Sequence, residues 1–170
     1  MSRLDSFIRR LEAQRACLDA AAILVRDLDG PVLELGLGNG RTYDHLRQLC
    51  PQRDIYVCER QLAAHPDCVP PARLLLLGDM RETLPAARQA LEGRVVLAHL
   101  DAASGDTAAS LALAAELVPL IIPLLRPGAV FVSEPEIAAA ALTALPLPGA
   151  IAPGRYHLYR ALSPAHVSIG

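Results

Sequence analysis

A chain of 170 residues has the size of one domain, and an apolar fraction of 52% against 20% charged residues excludes a disordered protein and favours a filled core with some apolar surface to spare. All sixteen basic residues are arginine, set against eighteen acids for a net charge of -2, which excludes lysine Schiff-base chemistry and leaves no basic stripe for a nucleic-acid backbone. Cys17, Cys50, Cys58 and Cys68 form no CxxC pair, so neither a zinc site nor a disulfide frame is expected.

The N-terminal stretch MSRLDSFIRRLEAQRACL mixes charge through its apolar positions and resembles no signal peptide, and no uncharged apolar run reaches membrane-spanning length. The expectation is a soluble, cytoplasmic protein without a membrane partner, with apolar surface that would allow a homo-oligomer. Leu4, Phe7, Ile8, Leu11, Leu18, Ala22 and Val25 recur at spacings of three, four and seven, which predicts an amphipathic helix over residues 4–28. Gly30 and Pro31 punctuate the chain before PVLEL, a run suited to a buried parallel strand.

A helix over 41–50, the strand DIYVCE, a strand in ARLLLLGD, a helix over 84–92, the strand RVVLAHLD, a helix over 107–118 and the strand AVFVSE follow in order. The alanine-rich segment SEPEIAAAALTAL is expected to hold one short helix. Beyond it, TALPLP and RYHLYRAL are separated by Gly149, Pro153 and Gly154, which suits two final strands paired antiparallel at the sheet edge. The alternation predicts an α/β three-layer sandwich with a mostly parallel seven-stranded sheet, its last strand antiparallel, plus an N-terminal helix. That is one domain over 1–170, with the helix in 1–29 and the core in 30–165. Ligands of such sheets bind at the carboxyl ends of the strands, where strand order reverses.

LELGLGNGRTYDHL, residues 33–46, bears on the ligand. Gly36, Gly38 and Gly40, with Leu37 and Asn39 between them, bring bare backbone close to a bound group, and the following helix start favours negative charge there. Glu34 stands two residues before Gly36. Glu59 ends the second strand nineteen residues after Gly40, the distance at which an acid can accept both hydroxyls of a ribose. Gly38 and Gly40 are two apart rather than three, which departs from the nicotinamide-dinucleotide fingerprint. The ligand reads as a nucleoside.

In this order of motifs the sequence resembles the class I, seven-strand S-adenosylmethionine-dependent methyltransferases over roughly residues 30–160. ELGLGNG at Glu34–Gly40 is similar to that family's first motif, and YVCE ending at Glu59 to its ribose-binding acid, with Arg60 beside it. LLLLGDM at Leu74–Met80 is similar to the segment that contacts adenine, LAHLD at Leu97–Asp101 to the fourth strand, and LLRPGAVFV at Leu124–Val132 to the turn into the fifth. The resemblance implies S-adenosyl-L-methionine as cofactor. The residues it implies for cofactor binding are Glu34, Gly36, Leu37, Gly38, Asn39, Gly40, Glu59, Arg60, Asp79, Met80 and Asp101. Glu34 would lie near the ammonium end of the methionine moiety, Asp79 at the adenine amino group and Met80 beside the ring.

Two departures stand out. Ala129 replaces the last glycine of the PGG turn, and HLDAASGD stands where an NPPY-like motif would mark methylation of DNA-base amines or protein glutamine. Asp101, closing the fourth strand, is read as a general base, a contact near the methionine carboxylate region, or the N-cap partner of the next helix. His99 shares its strand face and is a second catalytic candidate, with a hydrogen-bonded core histidine as the alternative. Asp101 with Glu134 supplies two metal-type oxygens but no third ligand, so no metal is assigned. Arg41 or Thr42 could shape the cofactor's carboxylate pocket, while Tyr156, His157 and Tyr159 are read as structural. The function implied is methyl transfer to a small-molecule acceptor, with the N-terminal helix as a lid or a subunit contact. The alternatives are a cofactor-binding regulatory module and an NAD-linked oxidoreductase.

Overall fold

The computed structural model describes residues 2–101, 106–149 and 151–163, so the AASG stretch after Asp101 and the last two residues of the expected core lie outside the described residues. The N-terminal helix α1 spans Arg3–Leu24 and starts on a capping box in which Ser2 and Asp5 each accept from the other's backbone N–H. It stops four residues short of the expected end. Just beyond its end Arg53 donates to the carbonyls of Val25, Arg26 and Gly30, which satisfies backbone acceptors left over where the helix stops.

The core follows as β1 (Val32–Leu35), α2 (Arg41–Leu49), β2 (Ile55–Glu59), β3 (Leu75–Leu77), α3 (Met80–Leu91), β4 (Val95–Leu100), α4 (Thr107–Ile121), β5 (Leu125–Ser133), β6 (Leu142–Ala144) and β7 (His157–Ala161). The seven strands lie in the order β3-β2-β1-β4-β5-β7-β6. β1 to β5 run parallel, and β7 is antiparallel to both of its neighbours. Every residue of β1 and β4 is buried, as expected for strands covered on both faces. The chain leaves β1 for β2 on one side and later inserts β4 on the other, so the order reverses between β1 and β4.

Two apolar layers hold this sheet. Leu84 and Leu91 of α3 and Leu117 and Ile121 of α4 pack on Leu33, Leu35 and Phe131. On the opposite face Cys17, Leu18 and Ala21 of α1 and Leu46 of α2 pack on Val32, Val57, Leu97 and Val132. The four cysteines are free, and burial pushes the Cys17 thiol up to about 11 and Cys58 up to about 12.

Three sequence expectations change. α3 begins at Met80 rather than 84, because Asp79 caps it by accepting from Arg81 N–H at 2.9 Å. The alanine-rich segment holds no helix. Its Ile137 is buried and donates its N–H to Tyr159 Oη at 2.8 Å, and Leu142–Ala144 pair with β7, which leaves too few residues for a stable helical nucleus. Thr107–Leu124, interrupted only by Glu116, is long and apolar enough to cross a membrane by length and composition, yet its Ala114, Leu117, Val118 and Ile121 are core residues of the domain.

Candidate active site

The link between β1 and α2 turns because Gly36, Gly38 and Gly40 take φ of 98°, 51° and 88°, values that favour residues without a Cβ. At Gly40 space matters as well: a Cβ there would stand 2.3 Å from the Cβ of Cys68. The turn exposes two N–H groups, of Leu37 and Gly38, and both donate to Glu59 Oε2, at 2.8 and 3.1 Å. Glycine elbow and ribose-type acid are thus in direct contact. Gln61 N–H supplies Glu59 Oε1 at 3.0 Å. Burial pushes the Glu59 carboxyl up, but the N–H groups of Gln61, Gly38, Leu37 and Arg60 outweigh it and hold the pKa below the usual carboxylate value.

Gly78 N–H donates to the Glu59 carbonyl at 2.9 Å, which carries Asp79 and Met80 to the same end of the sheet. Asp79 is engaged as the α3 cap and as a partner of Arg81, and these contacts, backbone N–H first, hold its carboxyl below its ordinary range, with Arg60 adding to the effect.

Beneath the elbow lies a polar chain inside the protein. Register places Glu34 of β1 directly beside His99 of β4, and both side chains are fully buried. His99 Nδ1 lies 2.7 Å from Glu34 Oε2, and Thr42 donates its hydroxyl to Glu34 Oε1. On the other side His99 Nε2 meets Tyr156 Oη at 3.3 Å, and Gln14 of α1 donates to both Tyr156 Oη and Asp101 Oδ2 at 2.7 Å. Arg10, one turn earlier on α1, reaches Asp101 at 3.4 Å and Glu134 at 3.6 Å. Burial opposes charge on the His99 ring, but the adjacent Glu34 carboxylate, then Asp101 and Glu134, hold its pKa above the ordinary value. Burial also raises Tyr156, which stays a phenol.

Above this chain opens a cleft of about 510 Å³ at the carboxyl ends of β1 and β4. Its floor is the elbow from Gly36 to Asn39, and Arg41 and Thr42 stand on one side. Asp101 and Glu134 stand on the other, and Phe7, Arg10, Leu11 and Gln14 of α1 lie across it. The volume is of the size that takes a small organic ligand. The location is the topological switch point of an open α/β sheet.

A family model for S-adenosyl-L-methionine methyltransferases matches residues 1–161. The chain belongs to that family. The methyltransferase is similar to a solved S-adenosyl-L-methionine methyl transferase from Silicibacter pomeroyi DSS-3, at 46% identity and a TM-score of 0.91 over 95% of this chain and 99% of that one. Two more distant structures share the fold with a TM-score of 0.55 each: cofactor-bound Rv0187 from MTB, at 20% identity over 89% of this chain and 79% of that one, and the antibiotic-resistance methyltransferase Kmr, at 14% over 88% and 93%. No curated protein matches the chain.

The residues fit the family's cofactor, S-adenosyl-L-methionine. A bare-backbone elbow, an acid touching it, and two carboxylates on the cleft wall suit a ribose and a cationic sulfonium-ammonium chain. Of the expected residues, Gly36, Leu37, Gly38, Asn39 and Asp101 line this cleft, Gly40 starts α2 behind it, and Glu59, Arg60, Asp79 and Met80 gather at the neighbouring strand ends. Glu34 and His99 are shut away beneath, and Thr42 is the member of their chain that reaches the wall.

Sequence reasoning missed Arg10 and Gln14 of the methyltransferase, and saw Glu134 only as a metal-type oxygen. The available signal was Phe7, Arg10, Leu11 and Gln14 at spacings of three and four, a mixed polar and apolar face on a helix whose other face is core. His157, read as structural, stands on the wall of a second cleft. Among the described residues no cluster of three metal-type ligands occurs.

Proposed function

We propose that this methyltransferase acts on a compact small-molecule acceptor. The observation that carries the reading is α1 lying across the cleft with Phe7, Arg10, Leu11 and Gln14 on its wall, an enclosure that suits a compact acceptor. Bound S-adenosylmethionine supplies a methyl group activated on a sulfonium. The chain's own residues hold and orient: Glu59 and the elbow N–H groups at the ribose end, Thr42 and Arg41 toward the methionine end, and Asp101, fixed by Gln14 and Arg10, at the cationic centre. Orientation in a water-poor cleft supplies much of the acceleration, since well-aligned intramolecular reactions reach effective molarities of about 10⁵ M or more.

Calorimetric titration with S-adenosylhomocysteine tests the donor half of the proposal. A dissociation constant in the micromolar range is expected, weakened about 10-fold or more in Glu59→Ala, the scale of losing charge-assisted hydrogen bonds. Turnover against a small-molecule acceptor set, followed as S-adenosylhomocysteine release, tests the acceptor half; tight binding with turnover only on protein or nucleic acid would overturn it. The free thiols support a cytoplasmic location, and fractionation that recovers the protein outside the cytoplasm would overturn that assignment. Exposed Leu4, Phe7 and Ile8 on α1 support a homo-oligomer, and a monomeric mass by light scattering would remove that reading.

A further inference from the structure

Beside the cofactor cleft lies a second cleft of about 430 Å³, set between α1, the start of α4, the segment after β5 and the start of β7. Arg10 and Glu134 line both. A methyl group passing from a donor in the first cleft to an acceptor in the second would pass these two side chains.

They differ in one respect. The guanidinium of Arg10 is held between Asp101 and Glu134, at 3.4 and 3.6 Å. Glu134 turns only Oε1 toward Arg10, while its Oε2 is buried and meets no hydrogen-bond partner among the described residues. A carboxylate oxygen taken out of water with no donor has lost its solvation for nothing, unless a donor arrives with a bound molecule. Burial pushes the Glu134 carboxyl up, and Asp101 adds to this against the opposing pull of Arg10 and His99, which makes it a stronger base than an ordinary carboxylate.

The far wall carries the second observation. Arg155 donates to Ser6 Oγ at 3.1 Å and pairs with no carboxylate among the described residues. Of the acids lining this cleft, Asp106 caps α4, and neither Asp106 nor Glu136 forms an ion pair with Arg155 among the described residues. Among the described residues Arg155 is therefore an arginine of this cleft with no carboxylate partner, and a guanidinium is suited to bidentate binding of a planar anion.

We propose that the second cleft is the methyl-acceptor site, that it takes a small molecule carrying a carboxylate bound by Arg155, and that Glu134 is a catalytic residue whose Oε2 accepts the proton of the hydroxyl or amine being methylated. The proposal rests on the methyltransferase reading with a small acceptor. Its balance is complete: the acceptor's lone pair forms the new bond to the methyl carbon, the C–S electron pair stays on sulfur, and the acceptor's proton moves to Glu134.

The test uses matched probes, salicylate with salicylamide, anthranilate with anthranilamide, and glycine with glycinamide, titrated calorimetrically into full-length protein saturated with S-adenosylhomocysteine. At least one carboxylate is expected to bind 10-fold or more tighter than its amide, and Arg155→Gln to erase that preference while keeping S-adenosylhomocysteine affinity within about twofold. Carboxylates that bind no better than their amides, or a preference that survives Arg155→Gln, would overturn the anion site. For the tightest carboxylate, single-turnover formation of S-adenosylhomocysteine, measured with S-adenosylmethionine saturating each protein, should slow about 100-fold or more in Glu134→Gln, with the acidic limb of the pH profile lost. A Glu134→Gln rate within tenfold of wild type, or an unchanged pH profile, would overturn the base. Failure of the unaltered protein to bind S-adenosylhomocysteine at millimolar concentration would instead sink the methyltransferase reading itself.

Discussion

Glu34 and His99 face each other on adjacent central strands with no exposed surface at all, a placement that a carboxylate and an imidazole tolerate only as partners. Removing one leaves the other buried without its counter-charge. His99→Asn is therefore expected to lower stability by about 3 to 5 kcal/mol, the usual result of breaking a buried pair from one side. The sign of the pH dependence follows from the direction of the His99 shift. Folding raises its pKa above 6.5, so the folded chain holds the proton more tightly than the unfolded one. That contribution is complete below pH 6.5 and is lost as pH rises through the folded value. Urea titrations of wild type and His99→Asn across this window should show the gap in unfolding free energy narrowing as pH rises. A gap that stays flat or widens toward alkaline pH would mean that the pair is not held in its charged form. The same pair gives the buried chain its direction: it fixes the ring whose other nitrogen meets Tyr156, and through Gln14 the orientation reaches Asp101.

At the scale of elements, the elbow between β1 and α2 separates two reasons for a glycine. Gly38 has φ of 51° with open space where a Cβ would lie, so Gly38→Ala is expected to lose only about 1 kcal/mol, the strain of a left-handed residue. Gly40 has φ of 88° and also abuts Cys68, so Gly40→Ala adds overpacking of about 1 to 3 kcal/mol to that strain. Denaturant midpoints of the two variants should differ accordingly, and equal losses would show that Cys68 does not press on the elbow. The sequence made the elbow legible because strand, glycines and helix are contiguous in the chain. It could not show Cys68 against Gly40, or Glu34 against His99, because those neighbours are set by a loop and a strand register far along the chain. The lost helix in SEPEIAAAALTAL has the same origin: local alanine propensity favoured it, while pairing of Leu142–Ala144 with β7 and capture of Ile137 by Tyr159 decided otherwise. The mostly parallel seven-stranded sheet, by contrast, followed from the alternation of elements that the sequence displays, whereas the order of its strands is a finding of the structure.

At the scale of the whole molecule, the cofactor cleft is where distant parts of the chain meet. α1, the elbow, Asp101 after β4 and Glu134 after β5 all contribute to its wall, although they are spread over more than a hundred residues of sequence. A ligand that touches all of them binds the folded chain and not the unfolded one, so it must stabilise the entire domain and not a local loop. With S-adenosylhomocysteine at 100 times its dissociation constant the gain is about 2.7 kcal/mol. For a domain of this size each kcal/mol moves the melting temperature by about 2 to 4 °C, so calorimetry should find a rise of about 5 to 11 °C. Amide exchange supplies the spatial half of the prediction. Exchange should slow in α1 as well as in the elbow, because Phe7, Arg10, Leu11 and Gln14 gain a partner on the cleft side. A melting temperature that rises while α1 exchange stays unchanged would place the ligand on the elbow alone, and α1 would then be a structural cover for the sheet with no share in the site.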